Sequence, residues 1–152
     1  MWPFKKEKSL AGLTDENQKW SVIEAENELG PILVRVNNSA IEWAKHPELN
    51  IRVGFAIPLN SPNPGGLPDA EENLLLNEIE DGLCELLKKT GSSIQVLAIT
   101  TGQFKEFVFY IQNGNGIEGA HKKAISQFST HEIQCVGEND PDWQVYDEWA
   151  NP

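Results

Sequence analysis

A chain of 152 residues, 39% hydrophobic and 23% charged, has the size and composition of one soluble globular domain that needs no disulfide or metal staple. Its formal net charge of −11 repels phosphate backbones and speaks against direct nucleic-acid binding. The first nineteen residues set Lys5, Lys6, Lys8 and Lys19 against Glu7, Asp15 and Glu16 and so contribute +1, leaving −12 on the rest, a body suited to solubility or to a basic protein partner.

In chain order, residues 1–18 read as a flexible leader, polar from Lys5 onward and without a secretory core. Trp2, Phe4 and the nearby lysines offer at most a weak membrane contact, and no apolar run approaches the roughly 20 residues of a membrane helix. Residues 19–152 read as a single α+β domain. Strands are predicted over 20–26 and 31–37, joined by a turn at Asn27-Glu28-Leu29-Gly30. Asn37-Asn38-Ser39 breaks the second strand, and a short irregular passage holds Ile41 and Trp43. A third strand over 49–57 alternates Ile51, Val53, Phe55 and Ile57 with Arg52, Gly54 and Ala56. The Pro- and Gly-rich stretch 58–68 is a loop.

A long amphipathic helix follows over 69–90. Leu76, Ile79, Leu83 and Leu86 recur at helical spacing, with Leu75 and Leu87 widening the stripe. Asp69 and Glu72 have the spacing of a capping box, Lys88 and Lys89 suit the far end of the dipole, and Gly91 stops the helix. Gly82 is a weak point inside it. Strands at 93–100 and 104–112 form a second hairpin. In the latter, Phe107, Phe109 and Ile111 should face the helices while Val108 and Tyr110 take the other face. A helix over 117–128 uses Ile117, Ala120, Ala124, Ile125 and Phe128, and a sixth strand covers 132–136. Asp140 should cap a last helix that starts at Pro141 and turns Trp143, Tyr146 and Ala150 inward.

From residue 49 onward the order is β-α-β-β-α-β, which predicts a two-layer ferredoxin-like sandwich with an added N-terminal β-hairpin and a C-terminal helix packed at an edge. Phe107-Val108-Phe109-Tyr110 ends like an RNA-recognition strand, but Gln103, Phe104, Lys105 and Glu106 stand where basic and glycine positions are needed. His46, His121 and His131 lack metal-ligand spacing, and no nucleophile elbow, phosphate loop or dinucleotide fingerprint occurs. Cys84 and Cys135 read as free thiols of a reducing compartment. The sequence therefore yields no catalytic residues, no metal ligands and no cofactor.

Trp20 at the first strand, the run Gly30–Asn37, the Leu67-Pro68 lead into an acidic helix, the stretch Thr100–Tyr110 and the ending Asp140–Tyr146 together resemble the uncharacterised DUF family numbered 695, over about residues 18–152. That resemblance implies no activity and no catalytic residues. The ending alone also resembles that of small acidic bacterial regulators that inhibit an RNA-degrading endonuclease, which implies a regulatory role and a bacterial source.

The function expected from these residues is that of a non-catalytic cytoplasmic interaction or regulatory protein. It would bind a basic protein partner through Asp142, Asp147 and Glu148, with no nucleic-acid or membrane partner. The alternative is a small-molecule-binding domain or unrecognised enzyme whose pocket, near the 58–68 loop, uses Arg35, Arg52, Lys105 or Tyr110.

Overall fold

The computed structural model describes residues 8–151, so Trp2, Phe4, Lys5 and Lys6 lie outside the described residues. Six strands, β1 (Trp20–Asn27), β2 (Gly30–Asn37), β3 (Ile51–Pro58), β4 (Ser93–Thr100), β5 (Phe104–Ile111) and β6 (Gln134–Asn139), build one sheet in the order β1-β2-β4-β5-β3-β6. Every neighbouring pair is antiparallel. The helices are α1 (Ala70–Lys88), α2 (Ile117–Gln127) and α3 (Gln144–Ala150). The fold is α+β, but its strand order differs from that of a simple four-stranded ferredoxin-like sheet. The expected two layers are also incomplete as a description, because both faces of the sheet are covered.

The period-two alternation of β3 and β5 sorts side chains onto two cores. Val53, Phe55, Ile57, Phe107, Phe109 and Ile111 meet Leu76, Ile79, Leu83 and Leu87 of α1 and Ala120 and Ala124 of α2. This division of β5 is the one its sequence predicts. Ile125 instead points to solvent, 51% exposed, and Leu75 lies at the margin of the α1 stripe, because a rounded helix buries only about a third of its circumference on a sheet. Gly82 has a packing reason: a Cβ there would collide with the ring of Phe128, so its absence lets α1 and α2 approach. Asp69 caps α1 by accepting from the Glu72 amide at 2.8 Å. Glu72 does not complete the box. Its carboxylate accepts instead from the amides of Asn60 and Ser61 and contacts His131, tying the 58–68 loop to the helix.

That loop bridges two hairpin tips. The amides of Leu59 and Asn63 donate to the carbonyls of Gln103 and Gly102, and that of Gly65 to Leu29. Gly30, at φ +127°, lies so close to Gly65 that a side chain would meet its backbone.

The second face holds Val34, Val36, Trp43, Leu49, Ile94, Val108 and Tyr110. A register irregularity between Gln95 and Leu97 places both Val96 and Leu97 there while Gln95 turns toward α1. Helix α3 lies across this face and not at an edge as expected, with Trp143 and Tyr146 buried against it. Residues 8–18, expected as leader, are partly tied down. Leu10 and Leu13 pack against the same core, and Lys8 pairs with Glu42 at 2.7 Å.

Candidate functional site

The acidic C-terminal end is built on a deep anchor. Asp140 precedes α3 and is 5% exposed. Its carboxylate accepts from the Tyr110 hydroxyl at 2.6 Å, Arg52 at 3.1 Å and the Gln144 amide at 2.9 Å. Burial alone would raise this carboxyl, but those donors outweigh it and hold the group below its ordinary range. Burial, with Asp140 as a hydrogen-bond partner, pushes the Tyr110 hydroxyl up, so it stays a donor.

The helix begins at Gln144, not at Pro141. Trp143 stands before it in the left-handed region at φ 54°, where a bulky residue costs of order 1–3 kcal/mol. The contacts that hold it there are specific. Its ring stacks on Tyr110 with centroids 4.1 Å apart, and its indole N–H donates to the Leu49 carbonyl at 2.8 Å. The Tyr146 hydroxyl donates to the Asn37 carbonyl at 2.8 Å. Seven residues are far too few for a helix to persist alone, so these anchors fix its orientation. They leave Asp142, Asp147 and Glu148 exposed. Among the described residues none of the three joins an ion pair, and the Asp147 carboxylate accepts only from the side-chain amide of Asn151.

The four residues expected to line a pocket are divided between the two faces. Arg52 and Tyr110 belong to the Asp140 anchor. Arg35 and Lys105 face α1. The small cleft beside the 58–68 loop, about 190 Å³, contains none of the four. It is bordered by Asn60, Ser61, Glu72 and His131. Burial would raise Glu72, yet the contact with His131 and the two loop amides hold it below its usual range. The sequence hides this pair, since 59 residues separate its members.

Arg35 lies in a larger cleft of about 350 Å³ between β2 and α1. Its guanidinium meets Glu80 at 2.5 Å and covers the Trp20 ring, 5.3 Å from the centroid. Gln95 also donates to Glu80, at 2.6 Å, and accepts from the Cys84 thiol. Burial, reinforced by Glu80, pushes that thiol up to about 12, so Cys84 is not a ready nucleophile. Lys105 sits deeper, its amine donating to Asn73 at 3.1 Å, and burial lowers its pKa. The row Arg35, Glu80, Gln95 depends on the β4 irregularity, which no periodicity announces. No group of three or more potential metal ligands occurs among the described residues, and no helix among them is long and apolar enough to cross a membrane.

Residues 18–149 match the model of a family of unknown function, DUF695. No curated protein and no solved structure matches the chain. The likeness of the Asp140–Tyr146 ending to the acidic ribonuclease regulators is not borne out by these matches.

Proposed function

We propose that this chain, which belongs to the DUF695 family, is a non-catalytic cytoplasmic protein that binds a basic protein partner through the outer face of α3. The observation that carries the reading is the contrast within one short helix: Trp143 and Tyr146 are locked into the core, while Asp142, Asp147 and Glu148 are exposed and unneutralised among the described residues. A rigid, uncompensated acidic surface raises the encounter rate with a basic patch and loses little entropy on binding. Cys84 and Cys135 are not joined in a disulfide, an arrangement that suits a reducing compartment. The strands β4-β5-β3-β6 with α1 and α2 support a ferredoxin-like core, to which the β1–β2 hairpin adds two strands beside β4.

The test is capture from source-cell lysate with the wild-type chain and with Asp147→Lys/Glu148→Lys, each at low and physiological salt. A partner retained by the wild type, lost by the double variant and weakened by salt supports the reading. Partners retained equally by both reduce the acidic face to a solvated surface.

A second reading, a small-molecule site, draws on the Arg35 cleft. Its volume falls within the range of ligand pockets, and it offers a guanidinium, an aromatic wall and carboxylates together. A ligand screen by thermal shift would favour it if a compound raised Tm of the wild type but not of Arg35→Met.

A further inference from the structure

At the hairpin-tip end of the second face, Leu29, Ile32, Ile99, Phe104 and Trp149 enclose an apolar cleft of about 130 Å³. A dry cavity of about 150 Å³ with similar lining accommodates benzene, so this one has room for a single Leu or Phe side chain. Its lip is open to a visitor. Leu29 is 66% exposed and Phe104 36%, whereas Trp149 packs partly against the core and makes one wall firm.

The surroundings are acidic. Glu28 precedes Leu29 at the hairpin tip, and Asp147 and Glu148 precede Trp149; all three are exposed. The segments 20–34 and 124–152, which supply Leu29, Ile32 and Trp149, contain no lysine or arginine. Glu106 shares the strand face of Phe104, but its carboxylate lies over Gly54 of β3 and does not line the cleft. It is half-buried, and no hydrogen bond to its carboxylate occurs among the described residues. Burial raises its pKa, with Arg52 as the opposing influence. A second copy of this chain is the wrong visitor, because two bodies at −11 repel each other.

We propose that this cleft receives one large apolar side chain of a basic peptide segment, whose flanking cations meet Glu28, Asp147 and Glu148. The inference rests on the acidic-face reading and specifies its partner: a Lys- or Arg-rich segment with one central Leu or Phe. Charge brings the segment in and the cleft fixes its register.

The experiment titrates the ¹⁵N-labelled full chain with three nine-residue peptides. One is lysine-rich with a central Phe, one replaces that Phe by Ala, and one keeps the Phe but replaces lysine by glutamate. The Phe–lysine peptide is expected to bind at least tenfold more tightly than its Ala counterpart, shifting the Trp149 indole N–H and the Gly102 amide, and the glutamate peptide is expected not to bind. Leu29→Ser should remove most of the tenfold advantage without weakening the Ala peptide. Equal affinity of both lysine peptides, lost together in Asp147→Lys/Glu148→Lys, overturns the cleft while leaving the acidic face in place. Failure of both lysine peptides at low salt overturns both readings. Equal binding of the glutamate peptide would show an apolar site indifferent to charge and overturn the stated partner.

Discussion

The two faces of the sheet are stabilised by different means. Under α1 and α2 the core is aliphatic and phenylalanine-rich, and the helix has nineteen residues with its own cap. Under α3 the core is centred on Tyr110, Trp143 and Tyr146, and the hydroxyl and indole groups all find partners through Asp140, Asn37 and Leu49. A broad apolar stripe tolerates local change, because its energy is spread over many contacts. A short helix pinned by a few aromatic groups and one buried carboxylate concentrates its stability in those groups. The face carrying the proposed binding surface is therefore the one most easily undone by a single substitution.

Trp143→Ala should give the largest effect. It deletes the stacked ring and the bond to Leu49, a loss of about 3–5 kcal/mol for a buried Trp, read as a fall in the denaturant midpoint. Hydrogen exchange should show α3 opening before α1. On the other face, Leu83→Ala should cost about 2–5 kcal/mol, since Leu83 is fully buried mid-helix, but there unfolding should remain a single transition. An unchanged midpoint in either variant would reject the corresponding core.

Gly82→Ala sharpens the contrast between local and tertiary preference. Helix propensity favours alanine by about 1 kcal/mol, whereas the Phe128 ring occupies the space its methyl needs. Destabilisation by about 1–3 kcal/mol is expected from overpacking, and a stabilised variant would show that Phe128 moves aside freely.

Tyr110→Phe leaves the stack but removes the hydroxyl that donates to Asp140, which should cost about 1–3 kcal/mol. It also changes the pH response. Asp140 and Glu72 both have folded pKa values held below their unfolded ones. Their contribution is complete above the unfolded carboxylate range and is lost as pH falls through the folded values. The wild type should therefore lose stability on acidification from about pH 5 downward, and Tyr110→Phe should show a shallower loss. Equal slopes in urea titrations at a series of pH values would remove Asp140 from the account. The smallest effect belongs to Asp147→Lys/Glu148→Lys, expected within about 0.5 kcal/mol of wild type in the same titrations.

The sequence by itself determined the elements wherever their period is long and clean. The α1 stripe, the hairpins and the sorting of Phe107–Ile111 onto two faces follow from side-chain geometry, which acts over a few residues. It also determined the exposure of Asp142, Asp147 and Glu148, once Trp143 and Tyr146 are turned inward. Only the tertiary structure decided what those periods cannot encode. The β4 irregularity sends Gln95 toward Glu80, the Phe128 ring occupies the space beside Gly82, and Glu72 leaves its helix cap for His131 and the loop. The start of α3 moved from Pro141 to Gln144 because the stack on Tyr110 and the bond to Leu49 hold Trp143 in a conformation its own backbone disfavours. In each case the deciding contact joins residues far apart in the chain, and its energy exceeds the local preference it overrides.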